Sequence, residues 1–470
     1  MKKTIIITAG GLLFATLFYN QTLGINALIY STFLIIALVV SKKGLLSKTT
    51  TVISALGMLT SAVAICYHGA TWSIITYFFS TILFIGYVAS SQSSIYISWL
   101  NGIYNSVFGV FHSFIYQQEE TQVSQSKKKV DVGQLIKLIV IPLFLVIIFT
   151  ILYSTSNPVF NEVLTAVDFS FINVFWMFTA VFGAFIMANI HQPLPIYDIT
   201  ARDQNYPNEL EPKPLNEKQL KSVTNESQIG LISIICLNAL LVMVLITEVI
   251  FLINSKSNHA SVLSSAVHQG VYASIVSILL ALTVIAIIFR GNVNFLKKNQ
   301  NLRRLTYLWI GFNSLLVISI FIKNYTYIDD HGLTHKRIGV MVYLLLTMVG
   351  LCTTYLKINY RLNFVYLLRR NLAIGYATIA IYSVINWSAI ITDHNIKENH
   401  IDPFYLRNLL PQNAMVLKKQ GLYDEYTFNK NRKRRRSNKV YNEVTFIDRN
   451  WQEFNWIAYQ IQEENEKVAP

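Results

Sequence analysis

Hydrocarbon offers no water to the peptide backbone, so a chain that crosses a bilayer as helix needs about 20 largely apolar residues for each pass. This sequence carries eleven such apolar runs, at approximately residues 4–19, 26–40, 51–67, 72–90, 135–153, 171–189, 229–253, 269–289, 305–322, 338–356 and 371–389. The expected fold class is therefore all-α: a polytopic integral membrane helical bundle of about eleven spans with a mixed extramembrane C-terminal tail. Composition agrees, because 53% hydrophobic against 14% charged residues and a mean hydropathy of +0.41 do not suit soluble packing. Disorder, collagen and a disulfide-stapled module are excluded on the same grounds. The three cysteines, Cys66, Cys236 and Cys352, all fall within apolar runs, where a thiol acts as a small hydrophobe.

Charge sets the expected orientation. Lys2 and Lys3 precede the first run without a small-residue cleavage site, which reads as an uncleaved helix with its N-terminus in the cytoplasm. Threading eleven spans from there places 21 Lys and Arg on inner segments and only Lys256, Lys323, Lys336 and Arg337 on outer ones, the bias that the positive-inside rule describes. Residues 95–116 are long enough to be a twelfth crossing, but this would invert every later loop. Ser98, Asn101, Asn105 and His112 form one polar stripe at helical spacing. That segment is expected as an amphipathic helix on the inner surface, or as a helix buried against the bundle.

The polar gaps divide the chain into an N-terminal four-span part with its amphipathic helix (1–117), an inner linker (118–134), a seven-span part with an inner loop at 190–228 (135–389), and a polar basic tail (390–470). An odd number of spans puts the tail outside. It holds 13 of the 39 basic residues, including Arg432, Lys433, Arg434, Arg435 and Arg436, and ends in an expected amphipathic helix at 448–465 with Asp448 as N-cap. The lipid bilayer is the first expected partner. Anionic lipid or an envelope polymer suits the basic run, a protein partner is compatible with it, and nucleic acid is not expected on this topology.

Seven of the nine histidines, His68, His259, His268, His331, His335, His394 and His400, then fall on the outer side. Asp329, Asp330, Asp393 and Asp402 join them there, so imidazole and carboxylate groups share one face. His331 and His335 are four apart and are the candidate metal ligands; the alternative is a turn at Gly332 whose residues hydrogen-bond one another. Glu248 lies well inside an apolar span, where a carboxylate needs a partner, a cavity or water. It is read either as part of a proton or cation path or as a residue paired with a neighbouring helix. Asn238, Asn313 and Asn386 are expected as interhelical contacts. No phosphate-binding loop, nucleophile elbow, kinase set or paired-cysteine motif is present, and no cofactor is implied.

At His268-Gln-Gly-Val-Tyr, Tyr327-Ile-Asp-Asp-His-Gly-Leu-Thr-His-Lys-Arg-Ile, Asn386-Trp, Asp393-His-Asn and Ile401-Asp-Pro-Phe-Tyr-Leu, the chain resembles a bacterial family of multi-pass membrane proteins known only as a domain of unknown function. The likeness covers roughly 171–417, and departs from the family pattern at His394 and Asn413. It implies a polytopic bacterial membrane protein and supplies no activity. On the expected topology these motifs emerge together, giving a candidate outer-face site of His268, Asp329, Asp330, His331, Thr334, Arg337, Asn395, Asp402 and Tyr405. Three functions remain open: a membrane scaffold or sensor with a functional extracytoplasmic face, ranked first; a transporter or flippase-like channel; and an enzyme acting on lipid-linked substrate.

Overall fold

In the computed structural model, residues 2–42, 44–121, 173–254, 276–296, 299–422 and 450–468 are described, with scattered residues between 142 and 160. Among them the chain is helical, with one isolated bridge between Glu209 and Leu362 in place of any sheet. Every apolar run except 135–153, most of which lies outside the described residues, is mainly helical where it is described, the run at 371–389 being interrupted at 385–386. Among the described residues five helices are long and apolar enough to cross a membrane, six if one bent pair counts as a single span, and four shorter apolar helices accompany them. Apolar side chains such as Phe175 (74% exposed) and Ile253 (70%) turn outward, as hydrocarbon contact allows and water does not.

Two compact units divide the chain. The first comprises residues 1–20 and 104–194. Here α1 (Lys2–Phe18) lies along a helix at Val174–Ile190 through small residues: Gly11 faces Ala180 and Ala184, and Gly183 faces Phe14. Close backbone approach through glycine and alanine is how helices associate where lipid supplies no hydrophobic drive.

The second unit, residues 21–103 and 195–470, contains two helical clusters. In one, α2 (Ile25–Ser41), α3 (Thr49–Tyr67) and α4 (Thr71–Ala89) pack with a later helix at Phe364–Val384. A further helix, α5 (Ile95–Thr121), approaches α4 so closely that a methyl at Gly86 or Gly102 would overlap the carbonyl of Ser98 or Ile82. Its polar stripe is turned onto protein: Ser98, Asn101 and Asn105 are all fully buried, while the side chain of His112 lies outside the described residues. Asn101 accepts from Ile196 N (2.9 Å) and donates to Thr200 Oγ1 (3.1 Å).

With the Val174–Ile190 helix numbered α6, the chain continues through α7 (Tyr197–Asn205), α8 (Glu217–Asn254), α9 (Val276–Ile288), α10 (Gln300–His331) and α11 (His335–Asn359). The last four enclose the second core, built on Ile234, Ile278, Ile285, Trp309, Leu316, Leu344 and Leu351. Both α8 and α10 outrun their apolar segments, so Lys323, expected in an outer loop, stands within α10.

The expected last span, 371–389, breaks. Its first part is α12 (Phe364–Val384), and α13 (Trp387–Lys397) sets off at 64°. Asn386 is the cause. Instead of bridging two spans, it N-caps α13 by accepting from Ala389 N (3.2 Å) and donates to Gln412 O (2.9 Å). Short helices α14 (Pro403–Asn408) and α15 (Ala414–Lys419) follow, and α16 (Trp456–Val468) ends the chain. That last helix starts eight residues later than expected, at a cap where Asn455 Oδ1 accepts from Ala458 N (3.2 Å). Asp448 and the basic run 432–436 lie outside the described residues.

Candidate functional site

The sequence motifs that fall on described residues meet at one end of the second unit, where α10 turns into α11. Gly332 closes α10 with φ +80°, a left-handed conformation that costs glycine little, and a side chain there would strike Asn395 and His400. Two residues on, Thr334 caps α11 by accepting from Arg337 N (3.3 Å). Arg337 reaches back across the turn. It donates to His331 O (2.9 Å) and to Gly332 O, and its guanidinium lies 4.1 Å from the Tyr327 ring centre. The helix dipole is answered here by a cation on the last carbonyls of α10.

A second layer, α13 to α15, clamps this turn from the side. Asn395 accepts from Leu333 N (2.6 Å) and donates to Leu333 O (2.9 Å), filling both backbone valences of one residue in the way a paired strand would. The Tyr405 hydroxyl accepts from His335 N (2.9 Å). Burial pushes that phenol above its usual range, with the bond from His335 and the nearby Arg337 charge working the other way. His335 Nε2 lies 3.3 Å from Ser388 Oγ, and a ring nitrogen of His400 lies 2.8 Å from Asp329 O. Asp402 caps α14, accepting from Phe404 N (3.0 Å) and Tyr405 N (3.1 Å), with Pro403 at the first helical position. Beneath, Ile338, Ile391, Leu406 and Leu417 form a cluster with Ile457, Ala458 and Ile461 of α16. A backbone bond from Ile25 N to Phe454 O and a side-chain bond from Asn455 Nδ2 to Ile65 O fasten the C-terminal segment to α2 and α3 at this same end.

Of the nine candidate residues, Thr334, Arg337, Asn395, Asp402 and Tyr405 are thus brought into one hydrogen-bonded cap. Asp329 takes part through its carbonyl and His331 through its carbonyl and its ring, 4.6 Å from that of Tyr327. Asp330 is exposed beside them, and His268 lies outside the described residues. Among the described residues no group of three His, Cys, Asp or Glu side chains is placed to hold a metal ion.

Glu248 has a partner on the neighbouring helix. Its Oε2 accepts from Ser319 Oγ (2.9 Å) and pairs with Lys323 Nζ, and that ammonium sits 4.3 Å from the Phe251 ring centre. Both side chains are about one-sixth exposed, at 15% for the lysine and 16% for the glutamate. An ion pair of this kind removes most of the cost of a lone charge in an apolar span.

At the opposite end of the unit, Asp203 of α7 gathers Ser94 N (2.7 Å), Ser94 Oγ (2.9 Å), Tyr96 OH (3.0 Å) and Arg369 Nη2 (3.1 Å). Burial alone would raise its carboxyl, but these donors together hold it below the ordinary value. Lys357, fully buried, donates to Phe289 O (2.8 Å) and ties α11 to the segment after α9. Neither contact is visible in the sequence, where Asp203, Arg369 and Lys357 are ordinary members of polar loops.

The chain belongs to the family described as Domain of unknown function (DUF4153), whose model matches residues 7–420. The match reaches well before 171 and so takes in the first four helices. No curated protein and no solved structure matches the chain.

Outcomes at three sites follow from this geometry. Asn395→Ala strands the N–H and C=O of Leu333 and is expected to cost about 2–4 kcal/mol, read as a lowered unfolding midpoint and new protease cleavage at 332–335. Asp393→Ala, which removes only an exposed pair with Lys397, is expected to change stability by under about 0.5 kcal/mol. For Asp203, a folded-state carboxyl held below its ordinary 3.8 contributes stability that is complete above that value and is lost as pH falls through the depressed one. Acid unfolding of the wild type is therefore expected to steepen below about pH 4, and Asp203→Asn is expected to flatten it at a cost in stability at pH 7.

Proposed function

We propose that this protein is a membrane scaffold that presents the basic segment 430–436, from a rigid cap on the extracytoplasmic side, to an anionic polymer of the cell envelope. One observation carries the reading. The chain leaves the cap at Leu422, directly after α15, and returns at Asn450, before α16, and both helices are packed into the same apolar cluster. Whatever lies between is tethered at both ends to one platform. A tether of that kind lowers the entropy lost when the segment is captured.

The cap itself supports the platform role. Its polar motif residues are engaged in bonds that hold α10, α11, α13 and α14 together, which favours positioning over turnover. The Glu248, Ser319 and Lys323 cluster favours a second reading, a proton- or cation-coupled transporter.

Retention of the purified full chain on immobilised polyglutamate, measured against salt, tests the first reading. Replacing Lys433, Arg434, Arg435 and Arg436 together by Gln is expected to weaken retention at least tenfold and to flatten its salt dependence. Unchanged retention, with proton flux into vesicles that Glu248→Gln abolishes, would overturn it in favour of the transporter.

A further inference from the structure

The end of the second unit opposite the cap holds a cavity of about 250 Å³ between the α2–α3 turn and the end of α4. Lys42, Lys48, Thr51, Ser91, Gln92 and Gln204 are among its lining residues, and among the described residues no acidic side chain lines it. Gly44, at φ +76°, reverses the chain so that the two lysines face one space from either side of the turn. Lys42 donates to Val88 O (2.5 Å), and burial pushes its ammonium below the ordinary value with no carboxylate to answer it. Among the described residues the Lys48 side chain makes no hydrogen bond or ion pair, its backbone alone bonding to Leu45 O and Val52 N. It occupies the N-cap position of α3, which has neither a side-chain cap nor an acidic residue in its first turn. The field in the cavity is positive from three sources, two ammonium groups and the exposed amide end of a helix.

Beside this polar cavity the surface is apolar. Ile36 and Val40 on α2, Leu46 in the turn, and Ile53 and Leu56 on α3 are all exposed. A ligand that satisfies both surfaces carries an anionic oxygen cluster on a hydrocarbon chain.

We propose that this cavity binds the phosphate group of an anionic membrane lipid, with Lys42 and Lys48 as its cationic contacts and the acyl chains lying along α2 and α3. Polar atoms of Thr51, Ser91, Gln92 and Gln204 are close enough to the cavity to complete the recognition of phosphate oxygens or of a headgroup hydroxyl. The site is separate from the cap at the other end of the unit, where Leu422 and α16 are packed.

The test is lipid retention by the purified full chain, read by native mass spectrometry after exposure to phosphatidylglycerol, phosphatidylcholine or inorganic phosphate. Phosphatidylglycerol is expected to be held in preference to phosphatidylcholine, and Lys42→Gln with Lys48→Gln to lower its retention roughly tenfold or more. Lys336→Gln with Lys419→Gln, which removes the same charge at the cap end, is expected to leave it unchanged. Should the double variant fail to fold, Lys48→Gln alone forfeits no internal bond and is expected to lower retention about threefold, with Lys48→Arg restoring it. Undiminished preference in the lysine variants would overturn the site. Binding of inorganic phosphate with no preference between the lipids would overturn the assignment to a lipid.

Discussion

The architecture rests on one constraint, that a polar group placed among apolar helices has to find its partner within the chain. Again and again the partner is a backbone carbonyl at a helix end. Lys357 answers Phe289, Arg337 answers His331 and Gly332, Asn395 answers Leu333, and Lys42 answers Val88. Each bond gives a side-chain donor a backbone carbonyl at or beside a helix end, and those of Lys357, Asn395 and Lys42 join elements far apart in sequence. The helices are apolar enough to be interchangeable in lipid; these contacts specify which ends meet.

From this the two ends of the second unit acquire different characters. At one, the turn between α10 and α11 is locked by residues of α13, α14 and their flanks, with α16 packed beneath. At the other, the loops carry the lysines and arginines, and Asp203 organises one of them. The cap end carries both signs of charge and aromatic rings at its surface, with Asp329, Asp330, Lys336, Lys419, Phe404 and Trp451 exposed, while among the described residues the cavity at the other end is lined by Lys42 and Lys48 and by no acidic side chain. Such asymmetry is what a protein fixed across a bilayer with different chemistry on its two faces would use.

Hydropathy made the helices legible, because crossing a bilayer is a property summed over some 20 residues and tolerates local error. The same averaging hid the break at Asn386, where a single cap residue with a distant carbonyl partner outweighs the surrounding apolar run. It also hid the extension of α10 through Lys323 to His331, since polar residues carry a helix onward once its core is packed. In the motif at 327–337, chemistry-bearing residues were legible as a group, but their roles were not. Asn395 and Tyr405 act on residues 62 and 70 positions away, and nothing local to either foretells that. The cavity at Lys42 and Lys48 was written in the sequence only as loop charge. Its meaning depends on a lining that includes no acidic side chain among the described residues, Asp203 next to Gln204 being engaged by Ser94, Tyr96 and Arg369.

The most direct measurement is the sidedness of the two ends. Single cysteines at Asp330, Lys419 and Glu211, placed in a chain lacking Cys66, Cys236 and Cys352, would be exposed in intact cells to a membrane-impermeant thiol reagent. Labelling at 330 and 419, with 211 reacting only after permeabilisation, is the expected result, with the cap and both anchors of the basic segment outside. Labelling at 211 in intact cells, or a split between 330 and 419, would contradict it.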